Sequence, residues 1–226
     1  MLKKVLFVMM IGAPALLPAA TYNYAEYYAL TTGIPGSATG QMVVSPTSTV
    51  VVTYSGNVIA ESQISDTGTY YYTGYNGGAN PYLNSEVSNA PKHKDIIALS
   101  GQTNNILTNT ISFSSPVTNP IMDIISLGSS AQVSNYDFNI PFTILSQGPG
   151  YWGSGSLWHG TGNRLSGMEG SGVIQFTGTF SSISFMASPA EYWSGFNVGV
   201  QVVPEPASGL ILLAGFCVFV RRRKIA

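Results

Sequence analysis

The 226-residue sequence predicts an all-β fold, a β-sandwich of jelly-roll-like topology. Three observations carry this. Between its two apolar ends the chain is rich in Gly, Ser, Thr, Asn, Tyr and Val and poor in Lys, Glu and Arg. No segment there keeps a 3.6-residue apolar period for more than two turns. Short β-branched or alternating runs are separated instead by Gly-rich turn signals, enough for about nine to twelve strands.

Residues 1–20 begin with Lys3 and Lys4, continue through apolar Val5 to Leu17, and end on small Ala19 and Ala20. This is the pattern of a secretory signal peptide, an N-terminal signal helix lost on export. Thr21 to Gly40, with Tyr22, Tyr24, Tyr27 and Tyr28, fits a first strand or a short helix. Val50–Tyr54 and Asn57–Glu61, joined by Ser55-Gly56, read as a hairpin. Thr69–Tyr72 reads as a strand and Gly74–Tyr82 as a loop. Asp95–Leu99, Thr110–Phe113 and Ile121–Leu127 read as short strands. Val133–Phe138 alternates, and Phe142–Leu145 continues it after Pro141. Gln147 to Gly172 reads as a second long loop. Val173–Phe176 and Ile183–Phe185 form the clearest hairpin. Phe196–Val202 closes the domain, with Phe196, Val198 and Val200 on one face. Residues 21–201 make one domain by length, enough to bury a core.

The last segment, residues 202–226, has three parts: Pro204-Glu205-Pro206, an apolar run over 207–220, and Arg221, Arg222, Arg223 and Lys224. As a helix, the run would cover about 21 Å, short of a bilayer core of about 30 Å. Snorkelling and local thinning make up such a gap at modest cost. The basic cluster sets the orientation, cytoplasmic side last. The competing reading, a buried C-terminal core helix, sits poorly with four consecutive cations after it.

This three-part order resembles the PEP-CTERM sorting signal of Gram-negative bacteria that make exopolysaccharide. The resemblance implies an exosortase-type membrane protease as partner, with Pro204, Glu205 and Pro206 as its recognition residues. It implies a transient transmembrane helix at the inner membrane, then release to the cell surface or the biofilm matrix. The flanking prolines suit this role, because they stop a helix and hold Glu205 extended. The stretch from Asn119 to Val200, including NPIMDIISLG and EYWSGFNVGV, is similar to the ectodomains of other PEP-CTERM proteins. That similarity implies a secreted β domain and no particular activity.

Charge narrows the partners. Between Thr21 and Val203 the basic residues are Lys92, Lys94 and Arg164. The acidic ones are Glu26, Glu61, Asp66, Glu86, Asp95, Asp123, Asp137, Glu169 and Glu191, giving a net charge of −6. An acidic domain without a basic patch argues against nucleic acid. The lone Cys217 falls in the apolar run, where it reads as apolar filler, so the ectodomain has no disulfide.

No catalytic motif is present, and the chain reads as a non-enzyme. There is no G-x-S-x-G elbow, phosphate-binding loop, zinc His pair or CxxC. His93 and His159 are the only histidines, and Ser154 and Ser156 sit among glycines without the elbow spacing. Glu169 and Glu191, each near aromatics, are the best pair for glycoside hydrolysis, which needs two carboxyl groups. Asp123, Asp137 and Glu169 are candidate calcium ligands, hard oxygens in a turn-rich fold; the competing reading is solvated carboxylates. Tyr75 with Tyr82, and Trp152 with Trp158, are candidate sugar-stacking clusters, against the alternative that they plug the sandwich ends. Trp193 and Phe196 read as packing residues. The expected function is a surface or matrix protein of structural or binding role. Its alternatives are a lectin-like carbohydrate-binding module and a polysaccharide hydrolase.

Overall fold

The computed structural model describes residues 19–101, 107–153 and 155–202. Residues 1–18 of the expected signal segment lie outside these residues. So does the tail from 203 onward, with Pro204–Pro206, the 207–220 run and the basic cluster. Among the described residues no helix is long and apolar enough to cross a membrane.

Among the described residues, fourteen strands form two antiparallel sheets. They are β1 (Tyr22–Tyr24), β2 (Glu26–Thr31), β3 (Gly33–Ser45), β4 (Ser48–Val58), β5 (Ile97–Leu99), β6 (Asn109–Thr118) and β7 (Ile121–Leu127), then β8 (Ser134–Phe138), β9 (Thr143–Pro149), β10 (Ser156–His159), β11 (Arg164–Met168), β12 (Gly170–Gln175), β13 (Thr179–Ser188) and β14 (Ser194–Gln201). One sheet runs β1-β14-β7-β12-β9, with β5 also on β14. The other runs β10-β11-β8-β13-β6-β4-β3-β2. From β6 to β9 the chain changes sheet at every step, so consecutive strands face each other across the core.

The core between the sheets takes alternate residues from both. Met122, Ile124, Ile174, Phe196 and Val198 come from the smaller sheet; Val52, Tyr54, Ile111, Tyr136 and Phe185 come from the larger. Each fully buried apolar side chain of this size contributes about 1.5–3 kcal/mol.

The smaller sheet is unusual in that its central strands are buried on both faces. Every residue of β7 and all but the last of β14 are buried. A half-exposed antiparallel strand alternates, and these do not. The second face, carrying Ile121, Ile125 and Val173, is covered by the segment from Ile59 to Ile96, which has almost no regular structure. Tyr72, Tyr82, Val87 and Ile96 of that segment are wholly buried against it. Backbone groups in such a layer must find partners. The Tyr70 hydroxyl donates to Pro91 O and that of Tyr72 to Asp95 O, both at 2.7 Å. The Asp95 carboxylate accepts from the backbone N–H groups of Tyr27 and Asp66. Asn197 of β14 reaches up into the layer, its Nδ2 donating to Ala25 O and Asp95 O.

Several sequence expectations change here. Ser55-Gly56 makes no turn, and β4 runs straight through it. Gly56 is there for clearance, because a Cβ would stand 2.3 Å from Asn109 Oδ1. The true hairpin joins β3 to β4 at Pro46-Thr47. Thr69–Tyr72 is no strand but part of the covering layer. The supposed hairpin of Val173–Phe176 and Ile183–Phe185 is split, β12 lying in one sheet and β13 in the other. Phe142–Leu145 does not continue β8 but enters β9 in the opposite sheet. The supposed loop from Gln147 to Gly172 holds β10, β11 and the ends of β9 and β12.

Asp123 sits in the middle of the covered face, between β14 and β12. It is fully buried, and among the described residues neither carboxyl oxygen has a hydrogen-bond partner. Burial pushes its pKa well above the usual carboxylate range. It is therefore not an exposed calcium ligand. Unfolding lets this carboxyl ionise near pH 4, so between that pH and the raised folded value the unfolded chain binds fewer protons. Stability falls as pH rises through this window. Asp123→Asn cannot ionise, so its stability gain over the wild type should grow from pH 4 to pH 8, as read by urea unfolding at each pH. A gain independent of pH would refute the assignment.

Candidate functional site

At one end of the smaller sheet the covering layer stops short, and a cavity of about 430 Å³ opens beside the C-terminal end of β7. Ser126, Glu169, Glu191, Tyr71, Trp152 and Trp193 line it. The two glutamates singled out in the sequence, 22 positions apart, thus face one space.

Glu169 reaches it through a one-residue corner. β11 belongs to the larger sheet and β12 to the smaller, and Glu169 alone stands between them. Its φ is +50°, a left-handed conformation that costs a side-chain-bearing residue about 1–2 kcal/mol. The next residue has no room for a side chain: a Cβ on Gly170 would stand 2.5 Å from Ser156 O. Opposite, β7 bulges where the β12 register shifts between Gly170 and Gly172. Ser126 in this bulge is also left-handed, with φ +52°. Its Oγ donates to Glu169 Oε2 at 2.7 Å, and its backbone N–H donates to Ser171 Oγ at 3.1 Å. Bulges of this kind re-aim side chains at sheet ends. Here the result is a carboxylate held by a hydroxyl at the cavity wall.

Glu191 comes from the β13–β14 connection, anchored by its own N–H to Ser100 O at 2.7 Å. Its carboxyl is mostly buried, and its pKa is pushed up to about 8. Desolvation is the main cause and the nearby negative charge of Glu169 adds to it. Ser194, Gly128 N–H and Ser134 pull the other way. At neutral pH Glu191 carries its proton. A carboxyl group raised in this way, facing a second carboxyl across one cavity, is the arrangement of an acid–base pair.

The third component is aromatic. Tyr71 lies at the centre of a cluster, with ring centroids 4.9 Å from Tyr151, 5.6 Å from Trp152 and 5.4 Å from Trp193. Trp152 and Trp193 meet at 6.2 Å, near edge-to-face. Trp152 remains 51% exposed and Tyr192 at the rim 90% exposed. These rings form an apolar wall beside a few placed polar groups, the general composition of a ligand site.

The other sequence candidates scatter. Tyr82 is fully buried against Tyr72, with centroids 5.4 Å apart, so it cannot stack on a ligand. Tyr75 is exposed in a short turn away from the cavity lining. Trp158 is exposed on β10 and does not line the cavity with Trp152. The three calcium candidates are not brought together. Asp123 lies under the covering layer, and Asp137 pairs with Arg164, whose Nε and Nη2 donate at 2.7 and 3.0 Å. Only Glu169 faces the cavity. Among the described residues no three acidic, His or Cys side chains converge as metal ligands. His159 stacks on Phe142 at 4.5 Å. His93 lies between Glu26 and Asp66, at 3.2 and 3.5 Å.

Trp193, read from sequence as a packing residue, is a cavity wall, and Tyr71 and Tyr151 were missed. Sequence signals existed for Trp193 and Tyr151 but not for Tyr71. Glu191 and Trp193 are separated by one residue, and Tyr151 adjoins Trp152.

No protein-family profile, curated protein or solved structure matches the chain.

Replacing Glu169 by Gln removes the charge that helps hold the Glu191 proton. The Glu191 carboxyl should then titrate at lower pH than in the wild type, measured by carbon-detected NMR of labelled Glu. An unchanged midpoint would mean that the two carboxyls do not share one site.

Proposed function

We propose that this chain is an exported surface or matrix protein that binds glycans at the cavity lined by Tyr71, Trp152 and Trp193. The carrying observation is the aromatic wall meeting Glu169 and Glu191 in one cavity. A pyranose presents an apolar face of C–H groups and a rim of hydroxyls. Trp and Tyr rings suit the first, and carboxyl groups accept or donate to the second. The cavity size falls in the range of small-ligand sites.

The cellular address rests on the sequence. The order of Pro204-Glu205-Pro206, apolar run and basic end supports an exosortase-type sorting signal. The N-terminal segment supports export. A disulfide-free, acidic, β-rich domain is consistent with life outside the cytoplasm once its core is large enough. The strand order also supports the expected jelly-roll reading of the sandwich. The pairs β6–β13, β7–β12 and β8–β11 are nested, as in a long hairpin rolled across two sheets. Strand β10 departs from that order by pairing with β11.

Binding is tested by affinity electrophoresis and calorimetry of the purified protein against a panel of soluble polysaccharides. Trp152→Ala should weaken binding by about 30-fold, the loss of one central aromatic anchor, while Trp158→Ala leaves it unchanged. Equal binding by wild type and Trp152→Ala would sink this site assignment.

A further inference from the structure

We propose that the cavity hydrolyses glycosidic bonds of neutral polysaccharide, with Glu191 as general acid and Glu169 as general base; the proposal rests on the glycan-binding reading of the same cavity. A binding site needs an aromatic wall and hydroxyl partners. It does not need a second carboxyl group on the same cavity wall, with one of the pair mostly buried. Nor does it need a left-handed corner at Glu169 opposite a left-handed Ser126. Strain of this kind persists where the surrounding structure over-determines it, and the inference runs from the outlier to the site.

The chemistry balances with the groups present and water. Glu191 gives its proton to the bridging oxygen as the bond from that oxygen to the anomeric carbon breaks. A water adds to the anomeric carbon and its proton passes to Glu169. The net change is one bond hydrolysed. The extra proton on Glu169 returns to Glu191 through solvent. Ser126 Oγ, donating to Glu169 Oε2, is a positioning residue that fixes which oxygen is free for the water.

The substrate class follows from charge. Glu61 also lines the cavity, while Lys92, Lys94 and Arg164, the three cations of residues 21–203, do not. A uronate-bearing chain would meet like charge with nothing to pair it. An uncharged chain meets hydroxyl acceptors and aromatic faces. Around Glu191 the other titratable groups are Glu61, Glu169, Tyr71 and Tyr192 in the cavity, and Tyr136 beneath it.

The test incubates the purified protein with mixed-linkage β-glucan, xylan, galactomannan and dextran, and with polygalacturonate and alginate. New reducing ends are counted, and affinity is measured in parallel by calorimetry. Reducing ends are expected from at least one neutral polymer and from neither acidic one. Activity should fall away above about pH 8, where Glu191 loses its proton. Glu191→Gln and Glu169→Gln should each lose about 100-fold or more in rate, with a much smaller change in affinity, because the amide still donates to and accepts from a sugar hydroxyl. Should Glu191→Gln melt below the assay temperature, Glu191→Asp replaces it, with a lower rate expected and the alkaline limb retained. Binding without reducing ends from pH 4 to 9 overturns the hydrolysis and leaves the binding reading standing. Neither binding nor reducing ends overturns both. Undiminished cleavage by Glu191→Gln overturns the acid assignment, and equal cleavage of the acidic polymers overturns the substrate class.

Discussion

The constraint on which the rest of this structure depends is that the central strands of its smaller sheet are buried on both faces. β7 and β14 have no solvent side. An antiparallel sandwich normally buries one face of each sheet and leaves the other wet. Here Ile121, Ile125 and Val173 on the second face must also leave water. The residues from Ile59 to Ile96 do this work without forming a sheet of their own. They supply tyrosines, which combine large apolar area with a hydroxyl that can close onto a backbone carbonyl. Tyr70 and Tyr72 do so within the layer itself. Fixing so long an irregular segment costs conformational entropy, and the burial of its aromatic rings offsets that cost.

The candidate site is a consequence of where this layer ends. All of the run Tyr70-Tyr71-Tyr72 packs against the covered face, and Tyr71 also meets Trp152 and Trp193 at the cavity. The same edge is where the chain passes from β11 to β12 through Glu169 alone. Five separate parts of the sequence therefore meet at one place: the layer, the end of β7, the β9–β10 connection, the β11–β12 corner and the β13–β14 connection. Partial desolvation there raises the Glu191 carboxyl, and Glu169 beside it raises it further. The raised Glu191 carboxyl thus comes from position rather than from any motif.

Much of the architecture could be read from the sequence, and much of the site could not. The β class follows from β-branched runs and from turn residues. Ile121–Leu127 reads as a strand because it is a continuous apolar run, and Phe196, Val198 and Val200 share the core face as their alternation predicts. The same local signals fail where glycine serves clearance rather than turning. Gly56 and Gly170 sit in strands close against a neighbouring segment, so Ser55-Gly56 looks like a turn and the β10–β12 region looks like a loop. Tyr82 looks like an exposed loop tyrosine because nothing local reveals that a second face needs covering. Of the site, Glu169, Glu191 and Trp152 were legible as acids and an aromatic in Gly-rich context. Their convergence with Tyr71 was not, because it depends on a contact across about eighty positions of chain that no periodicity encodes.

The most direct measurement of this account is hydrogen exchange of the whole protein with and without a saturating neutral oligosaccharide such as cellohexaose. The account predicts that β7 and β14 exchange only by global unfolding. It also predicts that the sugar slows exchange at Ser126 to Ser129, Tyr151 to Gly153 and Glu191 to Trp193, leaving β10 and the Tyr75 turn unchanged. Rapid exchange in β7 would contradict the covered sheet, and protection centred on Trp158 or Tyr75 would contradict the site.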